Sequence, residues 1–282
     1  MGYQDDEEAD ESYCDDCDRY GCTCRSNEST RGTLRSYSYR PVPSFYGKGP
    51  LFLGMELELE TTDFDSTLDV AGRSFGDLAY FKEDGSLQCG FEIVTHPMSY
   101  AYAADNFPYE ALADLRTAGG FIREASNGIH VHVSRAGFTG PCHMYQWMKL
   151  LYRNENMVSR LARRRSSEWA SFDSYYRASQ KEVVKPGRRG QQATRGMGRY
   201  HAINAQNTDT LEVRVFASTL EPEVAAGTMA FVASSVEYAR DLDSSKILKG
   251  DGWSWGRYVS WLRDRETYTP ALDLMEATTC AY

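Results

Sequence analysis

The sequence predicts an α+β fold, an antiparallel β-sheet of about six strands with helices packed on its apolar face. Two observations predict it. Several short segments alternate apolar and polar residues with a period of two, as strands do when only one face is buried. These segments are not each followed by a single crossover helix, which argues against a doubly wound parallel sheet. With 282 residues, 41% hydrophobic and 13% aromatic, the chain can bury a full-sized core.

Residues 1–30 are an acidic tail in which Asp and Glu far outnumber Arg19 and Arg25. Such a run solvates itself and rarely folds alone. Within it stands Cys14-x2-Cys17-x4-Cys22-x-Cys24. Four thiolates can hold one structural zinc ion and so order a segment that has no core of its own. The other reading is an acidic tail with incidental cysteines. The surrounding negative charge favours a protein partner for this tail over nucleic acid. Cys89, Cys142 and Cys280 are single thiols with no assigned chemistry. Residues 31–49 read as a linker, with Pro and Gly punctuation and no period, and residues 50–282 as the main folded domain.

The first strand is LFLGMELELE, residues 51–60. Further strands are expected around Lys82–Gly85, at Phe91–Thr95, at Gly128–Ser134, near Tyr200–Asn204 and at Leu211–Phe216. Helices are expected at Tyr100–Ala118 with an interruption before Pro108, from Pro141 to about Arg164, from Glu223 to about Leu242 and over Trp255–Asp264. Pro222 suits a first helical turn, where its missing N–H has no partner to lose. Basic residues crowd into 163–199, and the stretch KPGRRGQQATRGMGR reads either as a solvated loop or as a lid that closes over phosphate.

In a strand, alternate side chains share a face. Leu53, Met55, Leu57 and Leu59 point one way, and Glu56, Glu58 and Glu60 the other, about 7 Å apart in succession. Glu92 opposes Phe91 and Ile93, His130 and His132 oppose Ile129, Val131 and Val133, and Glu212 and Arg214 oppose Leu211, Val213 and Val215. Four strands thus share one plan, an apolar face for helices and a coordinating group on the other. A single strand of this kind is ordinarily a solvated face. Carboxylates gathered from several strands repel one another unless a cation compensates. Mg²⁺ takes carboxylate oxygens together with substrate phosphates, and Mn²⁺ accepts histidine more readily.

Gly54-Met55-Glu56-Leu57-Glu58, Asp84-Gly85-Ser86, Glu92-Ile93-Val94-Thr95-x-Pro97, Gly128-Ile129-His130-Val131-His132, Arg199-Tyr200 with Asn204, and Leu211-Glu212-Val213-Arg214-Val215-Phe216 occur in this order. Together they resemble the motifs of the amidoligase family, bacterial and phage-encoded relatives of glutamate–cysteine ligase and glutamine synthetase. The resemblance covers about residues 50–240. It implies a glutamine synthetase-like carboxylate–amine ligase fold, in which a curved antiparallel sheet wraps ATP and two or three Mg²⁺ or Mn²⁺ ions. Carried over to this sequence, it makes Glu56, Glu58, Glu92, His130 and Glu212 metal ligands. It places Arg214 on the γ-phosphate and the acyl phosphate, and Asp84 at the amine acceptor or in support of a metal. Arg199, Asn204 and His132 become nucleotide or substrate binders, as does His130. Glu56, Asp84 and Arg214 would carry the catalysis. Glu60 has no counterpart role and extends the polar face.

The implied activity is ATP-dependent formation of an amide bond between a carboxylate donor and an amine acceptor. A zinc hydrolase built on His130 and His132, or a nucleotide-binding protein without turnover, are the alternatives. The net charge of −9 argues against a nucleic-acid coat or a membrane-surface protein. No apolar stretch is long enough to span a bilayer. The start of the chain lacks the basic and apolar regions of a secretory signal, so the expected location is the cytoplasm of a bacterium or a phage-infected host.

Overall fold

The computed structural model describes residues 13–14, 19–20, 34–123, 126–173 and 199–280. In the tail, β1 (Tyr13–Cys14) pairs antiparallel with β2 (Arg19–Tyr20). Of the thiol cluster that could hold a zinc ion, Cys14, Cys17, Cys22 and Cys24, all but Cys14 lie outside the described residues.

The fold is α+β, with an open, mostly antiparallel sheet of eight strands. These are β3 (Leu34–Arg35), β4 (Leu53–Thr61), β5 (Ala79–Lys82), β6 (Gly90–Thr95), β7 (Gly120–Phe121), β8 (Gly128–Ser134), β9 (Ile203–Asn204) and β10 (Thr210–Ala217). Their order across the sheet is β3-β5-β6-β4-β8-β10-β9, and β7 pairs with the last two residues of β4. Only β3 runs parallel to its neighbour. Residues expected to be a linker therefore supply an edge strand, and Tyr46 bridges to Met98.

The central strand β4 carries the predicted alternation into the core. Leu53, Met55, Leu57 and Leu59 are all buried, and with Phe91, Ile93, Ile129, Val131, Val133, Leu211 and Val213 they form one apolar layer. Against it lies α6 (Pro222–Arg240), which is buried on nearly every side. Phe216 of β10 meets Phe231 of α6 edge-to-face with 6.0 Å between ring centroids. The helices α4 (Pro141–Arg153), α8 (Trp255–Arg263) and α9 (Thr269–Ala277) enclose α6. Gly227 lets α9 approach, since a Cβ there would stand 2.7 Å from Leu274 Cβ and 2.8 Å from the Pro270 carbonyl oxygen. The remaining α-helices among the described residues are α1 (Phe64–Phe75), α2 (Tyr100–Asn106), α3 (Ala111–Thr117), α5 (Glu155–Leu161) and α7 (Ser244–Gly250). No described helix is long and apolar enough to cross a membrane.

Three expected elements are corrected. The strand placed at Lys82–Gly85 ends at Lys82. Asp84-Gly85-Ser86 is a turn closed by the Asp84 carboxylate, which accepts from Ser86 N at 2.7 Å; a short acidic side chain followed by glycine competes with strand pairing in this way. The strand placed at Tyr200–Asn204 is only Ile203–Asn204. The long helix from Pro141 breaks at Asn154, whose side-chain amide donates to Leu150 O at 2.7 Å and to Trp253 O at 2.8 Å. The expected interruption before Pro108 is present, with α2 ending at Asn106 and α3 starting at Ala111.

Leu57 sits at 0% exposure in the middle of the central strand, directly behind the acidic face. Leu57→Ala should cost about 2–5 kcal/mol of unfolding free energy from lost transfer energy and the residual cavity. Urea unfolding followed by circular dichroism measures this.

Candidate active site

The register of the sheet assembles the polar face row by row. Glu92 of β6 stands opposite Lys82 of β5 and Glu58 of β4. Glu56 of β4 stands opposite His130 of β8. Glu212 of β10 stands opposite both His132 of β8 and Asn204 of β9. A register shift between Val213 and Phe216 marks a bulge beside Arg214, a device that re-aims side chains next to sites.

These side chains meet. His130 lies among three carboxylates, with Nδ1 at 3.4 Å from Glu56 Oε2 and 3.7 Å from Glu212 Oε1, and Nε2 at 3.9 Å from Glu58 Oε1. His132 Nε2 is 3.1 Å from Glu56 Oε1, and its Nδ1 is 3.1 Å from Thr210 Oγ1. Arg214 is ion-paired with Glu212. The second Glu212 oxygen accepts from Asn204 Nδ2 at 2.7 Å and Asn207 Nδ2 at 3.4 Å. Gly128 N donates to Glu58 at 2.7 Å. Hydrogen-bonded and packed carboxylates of this kind keep their orientation without a ligand.

Ligand atoms lie within 4.8 Å of one another in three overlapping groups, Glu56–Glu92–His130, Glu56–His132–Glu212 and Glu58–Asp84–Glu92. All seven of these residues line a cleft of about 1350 Å³. That exceeds the roughly 300–1,000 Å³ of an ordinary small-molecule pocket and leaves room for two substrates. Arg199 and Tyr200 sit on its wall, the Arg199 guanidinium stacked 4.9 Å from the Tyr200 ring and donating to its hydroxyl at 2.9 Å. Trp169 packs edge-to-face on Tyr200 with 5.0 Å between centroids.

Glu60 shares the parity of Glu56 and Glu58 but not their role. Its carboxylate accepts from Gln88 N at 3.0 Å and Cys89 N at 2.7 Å, and so anchors the turn that carries Asp84 to the site. The cleft residues that the sequence pattern did not single out include Lys82 and Arg164. Lys82 is buried and ion-paired to Glu92 at 2.7 Å. Its place on the polar face follows from alternation with Phe81, once the strand is placed at Ala79–Lys82. Arg164 is buried at the cleft wall, and in the sequence it is one basic residue among many. The rest of the expected lid, including Arg188 and Arg189, falls outside the described residues for the span 174–198.

The electrostatics show what the cleft lacks on its own. Seven carboxylates line the cleft, Glu56, Glu58, Asp65, Glu83, Asp84, Glu92 and Glu212, against five permanent cations, Arg40, Lys82, Arg164, Arg199 and Arg214. Burial and the repulsion of Glu56 push Glu92 up to about 8 despite the opposing pull of Lys82. Burial raises Glu58 as well. His132 is lifted to about 9; burial opposes this, but Glu56, Glu212 and Glu92 outweigh it. Burial would raise Glu56 and Glu212, yet the histidines, joined by Arg214 at Glu212, hold both below the ordinary carboxylate range. The raised values of Glu92 and His132 favour bound protons that offset part of the negative charge. The donor set, carboxylates outnumbering imidazoles in each group, fits hard divalent cations of the Mg²⁺ or Mn²⁺ type.

A family model described as "Putative amidoligase enzyme" matches residues 56–235, more than half of the chain. No curated protein sequence matches. A solved structure described as apo GmaS without ligand is similar at 15% identity and a TM-score of 0.41, over 82% of this chain and 66% of that one.

Two linked pH effects follow from Glu92 and His132. Both have folded pKa values raised above their unfolded ones, so their contribution to stability is complete below the unfolded values and is lost as pH rises through about 8 and about 9. After dialysis against a chelator, the protein should melt at progressively lower temperature from pH 7 to pH 9, and added Mn²⁺ should reduce that loss. Cation binding at these groups must also expel protons. Calorimetric titrations with Mn²⁺ at pH 7 in two buffers of different ionisation enthalpy should therefore report net proton release. A buffer-independent enthalpy would contradict this.

Proposed function

The chain belongs to the amidoligase family, and we propose that it joins a carboxylate to an amine, with ATP supplying the phosphoryl group that activates the carboxylate. The observation that carries this reading is the convergence of Glu56, Glu58, Glu92, His130 and Glu212 beside Arg214 in one cleft. Phosphoryl transfer needs neutralisation of charge and alignment more than covalent help from the protein. Mg²⁺ ions held by these side chains would neutralise the phosphate oxygens and align the γ-phosphoryl group.

The chain's own groups do the rest. The Arg214 guanidinium, fixed by Glu212, offers paired donors to the γ-phosphoryl oxygens. The donor carboxylate attacks phosphorus, the bond to the β-phosphate oxygen breaks, and ADP leaves an acyl phosphate. Asn204 holds Glu212 in place, while Thr210 fixes the His132 ring. Asp84 stands at the cleft on a turn, one carboxylate oxygen engaged by Ser86. It takes the proton of the incoming amine, which attacks the acyl carbon and expels phosphate. Arg199, Tyr200 and Trp169 form a wall of the cleft along which the nucleotide would lie. A zinc hydrolase would need one cation with an open position. Three overlapping, carboxylate-rich groups are more than that chemistry uses.

The test is to incubate the pure protein with ATP, Mg²⁺ and the small-molecule fraction of a cell extract. ADP and phosphate should form in equal amounts, with a new amide identified by mass spectrometry. Hydrolysis of the extract's amides without ATP would favour the hydrolase instead. Arg214→Gln should lower kcat by about 10²–10³, the size of effect seen when one donor to developing negative charge is removed. Asp84→Asn should lower amide formation by about 10²–10⁴ while ADP release persists. Equal loss of both products in the Asp84 variant would remove it from the amine step.

A further inference from the structure

Arg164 follows α5 at a turn where the chain reverses. Arg163, with φ of 55°, takes a left-handed conformation there, and Ala217 N donates to Ala162 O at 2.8 Å, tying the turn to the end of β10. The two arginines then diverge. Arg163 reaches outward to Glu221 at 3.3 Å. Arg164 turns inward and is 9% exposed at the cleft wall.

Its surroundings leave the guanidinium under-used. It has five N–H donors. The NH1 and NH2 groups reach the carbonyl oxygens of Phe216 and Ser126 at 3.5 and 3.4 Å, beyond the normal range for such bonds. The buried Nε has no partner, and no carboxylate among the described residues forms an ion pair with it. Glu58, the acid nearest in influence, is already bonded to Gly128 N. A buried cation without a matched anion is strongly disfavoured unless a ligand completes it. The backbone also makes space for this side chain. A Cβ on Gly128 would stand 2.5 Å from Arg164 NH1 and 3.2 Å from His130 Nε2. Glycine at 128 therefore lets the guanidinium lie on the polar face beside His130.

We infer that Arg164 is a substrate-binding residue whose guanidinium takes the paired oxygens of a carboxylate or phosphoryl group at the cleft wall beside Gly128 and His130. This rests on the ligase reading, and it adds a second anion-binding arginine across His130 from Arg214. A planar fork of donors suits such an oxyanion, and lysine cannot reproduce it.

The test uses the full chain labelled with ¹⁵N and the arginine Nε–Hε resonances, with Arg164 assigned by the signal missing from Arg164→Lys. Mg²⁺ with a non-hydrolysable ATP analogue, inorganic phosphate, and acetate are titrated separately. A phosphoryl ligand predicts that the Arg164 signal moves with the nucleotide or phosphate and not with acetate. A carboxylate ligand predicts the reverse. In either case Arg164→Lys should weaken binding of the effective probe at least tenfold at unchanged melting temperature. A guanidinium that only braces the Ser126 and Phe216 carbonyls predicts an unmoved signal and unchanged probe affinity, and either result would overturn the inference. The Arg214 signal separates the two claims. If it responds to nucleotide while Arg164 responds to none of the three probes, only Arg164's role falls; if Arg214 does not respond to nucleotide, the nucleotide-dependent ligase reading falls.

Discussion

Repulsion among buried carboxylates governs this molecule. Glu56, Glu58, Glu92 and Glu212 are forced onto one face because the alternate residues of their strands are needed in the core. The same packing that secures the fold thus concentrates negative charge in a cleft where water screens it poorly. Histidines, Lys82 and Arg214 offset part of that charge, and protons on Glu92 and His132 offset more. On the proposed reading, divalent cations and the phosphates they accompany would offset what remains, and the cost to the unliganded fold would be the source of that affinity.

The sheet supplies the precision that this chemistry needs. Every residue of the proposed metal groups sits on a hydrogen-bonded strand, apart from Asp84, which Glu60 holds at one remove by bonding the turn that follows it. Partners behind the site fix the orientation of its members: Gly128 N for Glu58, Asn204 and Asn207 for Glu212, and Thr210 for His132. Such groups can meet a transition state without reorganising. The rim is built differently, from the turn at Asp84 and the Trp169–Tyr200 wall, where substrates of different shape can be admitted.

Much of this was legible in the sequence, for a physical reason. A half-buried strand declares its faces by alternation, so the partition of Leu57 from Glu56 and Glu58, or of Val131 from His130 and His132, needed no structure. The family likewise followed from motifs carried on those strands. What alternation does not encode is competition between partners. Glu60 has the parity of a ligand, yet two backbone N–H groups claim it. Arg164 stands in a basic run that reads as solvated, yet the chain reversal at Arg163 turns it inward. Lys82 was assigned to a strand that actually ends with it, because the Asp84 side chain closes a turn three residues sooner than the expected strand allowed. The edge strand at Leu34–Arg35 escaped notice because two residues carry no period.

The most direct measurement is anomalous diffraction from crystals soaked in Mn²⁺ and a non-hydrolysable ATP analogue. The predicted result is at least two anomalous peaks inside the cleft, one shared by Glu56, His132 and Glu212 and another by Glu92 with Glu56 or Glu58, each also touching a phosphate oxygen. Peaks confined to surface carboxylates, with nucleotide absent from the cleft, would contradict it.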